Sequence, residues 1–183
     1  MVRFLILSTT MWAMPGASSA IAGPPASPAS GLGKGEEVSA WEPVHVAGPH
    51  AGTKTCPVCT YLEAPVLMAF ARDLAAAEAL ATPLEQIAEA HAASKLRVVL
   101  VVLDAPDDKL RKLAEGHKIR RVMLCRPDPE RRMKQLAAYK IDPSVTNTVL
   151  IYENFIVKHS WVSLAASELH VLVEATGPYL SKR

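Results

Sequence analysis

A three-layer α/β sandwich, with a mixed central sheet between flanking helices, is the fold class this sequence predicts. Three observations carry the prediction. Continuous apolar runs recur at 66–70, at 98–103 within the strand candidate 96–103, and at 122–125 within 121–125, as expected for strands buried on both faces. Stretches rich in Ala, Leu and Glu alternate with them and suit crossover helices. Near the C-terminus, two strand candidates flank Glu153-Asn154-Phe155, which reads as a hairpin and makes the sheet mixed.

The elements follow in order. Pro43 to Ala47 is a short strand candidate. Val66 to Phe70, after Pro65, is the first core strand. Asp73 to Ser94 reads as a helix, broken at Thr82-Pro83, where Pro83 can begin a new helix capped by Thr82. Leu96 to Leu103 is the strongest strand, because Val98, Val99, Val101 and Val102 favour the pleated backbone. Asp107 to His117 is an amphipathic helix, Arg121 to Cys125 a third core strand, and Pro129 to Tyr139 a short helix. Thr148 to Tyr152 and Ile156 to Trp161 are the hairpin strands, and Leu164 to Thr176 is the final helix.

The N-terminus predicts the compartment. One basic residue, Arg3, precedes a mostly apolar stretch from Phe4 to Met14. Pro15-Gly16 ends that stretch, and Ala20-Ile21-Ala22 fits a cleavage site. Residues 1–22 therefore read as a secretory signal peptide, too short in its apolar part to span a bilayer, which takes about 20 residues. Residues 23–38 are rich in Gly, Pro, Ser and Ala and read as a disordered linker. Residues 39–183 make one domain. The expected location is secreted or periplasmic, with no membrane contact after cleavage. The formal net charge of +2, with both signs interspersed, gives no nucleic-acid footprint. The densest basic run, Lys118 to Lys134, reads as a solvated face. No internal repeat is present.

Chemistry centres on Cys56-Pro57-Val58-Cys59. Cys125 is the remaining member of three cysteines, so no larger disulfide framework exists. In an oxidising compartment close cysteines pair. A Cys-x-x-Cys pair can exchange disulfides, serve as an inert link, or hold a metal. The inert link restricts the unfolded chain little, because its loop is so short. The metal reading adds His45 and His50 as nitrogen ligands for zinc or copper. Cys125 ends an apolar strand and reads as a buried, unreactive thiol. Asp104 is expected to cap the turn before Asp107. His117 and His159 read as surface residues, and His170 lies on the last helix. Trp41 and Trp161 read as packing residues or as a docking rim. No Ser-His-Asp spacing, phosphate loop or paired carboxylate motif stands out.

Ala64-Pro65-Val66-Leu67-Met68-Ala69-Phe70 resembles the first core strand of the thioredoxin-like superfamily, in its redoxin and peroxiredoxin-like variant with extra N-terminal structure. Thr148 to Asn154 resembles that family's Thr-led hairpin strand, and the final helix fits too. The chain is similar to secreted bacterial members in which the cysteine pair is displaced. The resemblance implies thiol–disulfide exchange on secreted proteins or small thiols, with no organic cofactor. The displacement is explicit. Family members place the pair after the first core strand, at 72–77 here, where this chain has no cysteine. Asn147 stands where they place a cis-proline. A peroxidase role is not expected, since the same position would hold its cysteine.

Two geometries can return the pair to a working site. The loop from Ala47 to Cys56 can fold back and present it near Asn147. Alternatively, the strand ending at Ala47 can feed it into a short helical turn from Pro57 to Glu63, capped by Thr55. Either way, Cys56 faces the positive end of the turn, with Lys54 nearby, which favours the thiolate. Cys56, expected to be the more exposed, then attacks a disulfide, and Cys59 resolves the mixed intermediate. A thiol–disulfide oxidoreductase is the leading expectation. A non-catalytic binding module with a structural Cys56–Cys59 bond is the alternative, and periplasmic metal binding the further one.

Overall fold

The computed structural model describes residues 30–179. The expected leader lies outside them. In chain order the elements are β1 (Val44–Ala47), α1 (Pro57–Tyr61), β2 (Val66–Asp73), α2 (Leu74–Ala90), β3 (Arg97–Asp104), α3 (Asp107–Gly116), β4 (Met123–Arg126), α4 (Arg132–Ala138), β5 (Asn147–Glu153), β6 (Ile156–Val162) and α5 (His170–Thr176). The strands form a 6-stranded sheet in the order β1-β4-β3-β2-β5-β6. β2, β3 and β4 are parallel. β1 joins β4 antiparallel, β5 joins β2 antiparallel, and β6 closes the hairpin. The sheet is therefore mixed and flanked by helices, as the sequence predicts.

Alternation along the strands builds two apolar layers. Leu67, Ala69, Val98, Leu100, Val102 and Leu124 face one side, where Leu80, Leu84, Leu110 and Leu172 of the helices α2, α3 and α5 cover them. Val66, Met68, Phe70, Val99, Val101 and Met123 face the other, under Leu136 of α4 and Val58 of α1. Full burial of each such side chain is worth about 1.5–3 kcal/mol, which is why the continuous runs prove to be central strands.

Three expectations need correction. First, α2 runs unbroken through Pro83. An interior proline costs about 3 kcal/mol, but Leu80, Ala81, Leu84 and Ile87 bury one continuous side across it and outweigh that cost. Thr82 does not cap a new helix; its hydroxyl meets Nδ1 of His117, which is half-buried, at 2.8 Å. Second, the final helix is shorter than expected: a 3-10 turn over Ala166–Glu168 precedes α5. Third, the expected linker is ordered over 30–38. Val38 N–H donates to the Phe155 carbonyl at 2.8 Å, Gly35 N–H to Val157 at 2.9 Å, and Val157 N–H to Glu36 at 2.9 Å. Leu32 and Val38 are buried. This segment covers part of the β6 edge, a common protection against edge-to-edge association. Isolated anchors such as Leu32 carry no period, so composition reads the stretch as linker.

Candidate active site at Cys56 and Cys59

The loop after β1 sets up the cysteine pair. Gly48 lets the chain turn closely against β4. Its φ is +88°, and a Cβ there would meet the Val122 carbonyl oxygen at 2.1 Å, so a larger residue has no room. The loop then returns to β1: His45 N–H donates to Thr53 O at 3.0 Å, and Gly52 N–H to His45 O at 2.9 Å. Side chains complete the tie. His45 Nε2 lies 2.8 Å from the Thr55 carbonyl; since a carbonyl only accepts, that nitrogen carries the proton. His50 Nε2 and the Tyr61 hydroxyl share a hydrogen bond of 2.7 Å, which joins the loop to the end of α1.

The second of the two expected geometries is the one observed, with a different cap. Pro57 opens α1, where its missing N–H is harmless. Cys56, not Thr55, is the N-cap, and its sulfur accepts the Cys59 backbone N–H at 3.1 Å. Cys56 and Cys59 are bonded to each other, with their Cα atoms 5.3 Å apart. The order of exposure is the reverse of that expected. Cys59 is exposed, whereas Cys56 is half-buried and packs against the apolar layer of Val58 and Met68. Lys54 does not add its charge to Cys56 as expected, because its ammonium pairs with Asp128 at 2.8 Å. That side-chain bond holds the Asp128 carboxyl below the usual carboxylate range.

A cleft of about 710 Å³ opens beside the disulfide, between α4 and the segment before β1. Trp41, Glu42, Cys56, Cys59, Arg131 and Lys134 line it. Trp41 is only 4% exposed and packs against Phe70 and Tyr139, with ring centres 5.8 and 5.9 Å away. Gln135 fixes the two walls: its amide donates to the Glu42 carbonyl at 3.0 Å, and its oxygen accepts the Asp128 N–H at 3.2 Å. Arg131 pairs with Glu42 across the mouth.

The remaining predicted residues lie elsewhere. At the C-terminal end of β2, where the resemblance places a cysteine pair, Asp73 caps α2 by accepting the Ala76 N–H at 2.9 Å. Asn147 pairs with Ala71 in the sheet register and does not line the cleft. Its amide donates to the Leu164 carbonyl at 2.9 Å and accepts the Leu164 N–H at 3.0 Å, so it serves as a sheet-edge clamp. Cys125 is fully buried, and burial pushes its thiol far up, in line with an unreactive role. Asp104 is exposed and supplies no cap to α3. Trp161 stacks on His159 at 5.5 Å. The four candidate metal ligands do not converge: among the described residues no group of three or more His, Cys, Asp or Glu is placed to hold a metal ion. The sequence reading missed Trp41, Gln135 and Arg131 as neighbours of the cysteines, because they stand far from Cys56 in the chain.

Burial lowers the His45 proton affinity below its ordinary value near 6.5, and His50 nearby acts in the same direction. The neutral ring is thus the folded form. Its contribution to stability is complete above the unfolded value and is lost as pH falls through the folded one. Thermal melts should show a fall in melting temperature between pH 7.5 and pH 5 that is shallower in His45→Gln. His91, whose proton affinity burial also lowers, keeps part of the slope. An identical slope in both proteins would remove His45 from this account.

No protein-family model matches the sequence, and no curated protein matches it. Solved structures do match by shape. The thioredoxin domain of a thiol-disulfide oxidoreductase from Bacteroides vulgatus superposes with a TM-score of 0.61 at 14% identity, covering 79% of this chain and 97% of that one. A thiol:disulfide interchange protein of the thioredoxin family from Chlorobium tepidum gives 0.58 at 14% identity, over 81% and 98% of the two chains. A peroxidoxin from Mycobacterium tuberculosis gives 0.57 at 17% identity, over 78% and 94%. The fold is thioredoxin-like.

Proposed function

We propose, from this thioredoxin-like fold and its accessible disulfide, that the chain is a secreted thiol–disulfide oxidoreductase acting through Cys56 and Cys59. The observation that carries the reading is the placement of the pair: Cys59 is an exposed residue at a cleft, and the Cys56 sulfur caps a helix. An incoming thiolate attacks the Cys59 sulfur, the S–S bond breaks, and its electron pair leaves on Cys56. The Cys59 N–H already points at that sulfur and steadies the developing thiolate. A stabilised thiolate is the better leaving group. In the reducing direction, the Cys59 thiolate attacks a substrate disulfide and releases one substrate thiolate. Cys56 then attacks the Cys59 sulfur and releases the other. The pair gives up two electrons and closes again as a disulfide; an external dithiol reductant restores it. Residues 1–22 support delivery to a periplasmic or extracellular space, where such a pair forms. Among the described residues, no helix is long and apolar enough to cross a membrane.

The test is reduction of insulin and of glutathione disulfide by the dithiothreitol-regenerated protein. Catalysis well above the dithiothreitol background, abolished in Cys56→Ala/Cys59→Ala, is the expected result. Wild-type protein at background would leave the bond as a structural link in a binding module.

A further inference from the structure

The cleft beside the disulfide has a recognition chemistry of its own. Arg131 and Lys134 are three residues apart, at and just inside the start of α4, and both reach one wall. Glu42 is the sole acid lining the cleft, and it is committed to Arg131. Lys134 is exposed and has no ion pair among the described residues. The floor is rigid, because Trp41 is wedged against Phe70 and Tyr139 and Gln135 ties the walls together. The mouth therefore carries a net positive charge over an apolar floor, with the exposed residue Cys59 in its lining.

We propose that this cleft selects peptide cysteines flanked by carboxylates. The substrate segment lies over Trp41, one carboxylate takes the free Lys134 ammonium, and a second displaces Glu42 from Arg131. The substrate sulfur then reaches Cys59. The inference rests on the exchange reading for its chemistry, but not for its binding. Complementary charge acts chiefly on encounter and on choice of partner, and exposed pairs contribute modestly. The preference should therefore be severalfold, and sensitive to salt.

The test compares disulfide-linked dimers of Asp-Cys-Asp, Lys-Cys-Lys and Ser-Cys-Ser as substrates for the reduced protein. Each rate is normalised to that of dithiothreitol, which removes the peptides' intrinsic reactivity. The acidic-to-basic rate ratio should exceed one in the wild type, fall about tenfold in Lys134→Glu and rise in Glu42→Gln. The Ser-Cys-Ser rate of each variant is the reference for its charged-peptide rates, and unchanged melting temperatures and thiol counts show that the fold and the thiols are intact. A ratio unmoved in both variants, or a preference for the basic peptide, overturns the proposal. A second arm needs no turnover: dansyl-labelled Asp-Ser-Asp and Lys-Ser-Lys are titrated into the oxidised protein. Tighter binding of the acidic peptide supports the cleft even if the wild type reduces none of the disulfides, in which case the exchange reading falls alone. Equal binding overturns the cleft proposal.

Discussion

Cys56→Ser will accumulate a stable mixed disulfide with glutathione on Cys59, whereas Cys59→Ser will form one on Cys56 about tenfold more slowly. The thiols differ in two respects that oppose each other. The Cys56 sulfur caps α1 and accepts a backbone N–H at 3.1 Å, so its thiolate is the better stabilised. That raises the thiolate fraction but lowers intrinsic nucleophilicity, by a Brønsted slope of about 0.4–0.5. Access then decides. Attack on a disulfide requires the substrate sulfur to reach the nucleophile, and Cys59 is exposed while Cys56 packs against the core. Removing Cys56 also removes the thiol that would resolve the adduct, so the adduct persists. Mass spectrometry after brief exposure of each reduced variant to glutathione disulfide reads the result directly. Faster trapping by Cys59→Ser would restore the order in which Cys56 attacks.

Glu85→Ala will lower stability by about 3 kcal/mol, and the melting temperature by roughly 10 °C. Glu85 is 5% exposed on α2. Its carboxylate accepts the backbone N–H groups of Arg120 at 3.0 Å, Arg121 at 2.9 Å and Val122 at 3.0 Å. Removing it leaves those donors in the turn before β4 without their partner, and an unsatisfied buried donor costs about 1–3 kcal/mol. Partial access to water at the turn keeps the sum below the maximum. Glu85→Gln should lose about 2 kcal/mol, because its amide turns one donor towards other donors. A urea denaturation series checks both. A loss under 1 kcal/mol for Glu85→Ala would mean that water replaces the carboxylate. Glu85 joins α2 to β4 at the point where Gly48 also approaches Val122, so the same turn supports the loop leading to Cys56.

Most of the fold was legible because burial writes itself into local pattern. Val66 to Phe70 is apolar without interruption, and Leu96 to Leu103 is broken only by Arg97 near its start; each proves to be a central strand with both faces covered. The break expected at Pro83 fails for the converse reason. A local cost of a few kcal/mol was visible, while the long-range packing that overrides it was not. Residues 30–38 show the same limit, since their order comes from main-chain bonds to β6 that leave no trace in composition.

The chain's own pattern settles the α/β class, the strand positions and the chemistry available at Cys56-Pro57-Val58-Cys59. Spacing alone brings those two sulfurs together, because two intervening residues suffice to close the bond. Exposure and company are different matters. Which sulfur meets solvent depends on how α1 lies on the sheet. Trp41, Arg131 and Lys134 join the pair only when the segment before β1 and α4 fold over the same face. Local sequence sets which groups exist and how close neighbours bond. Accessibility and charge environment are sums over residues distant in the chain, and they take values only once the sheet has brought those residues together.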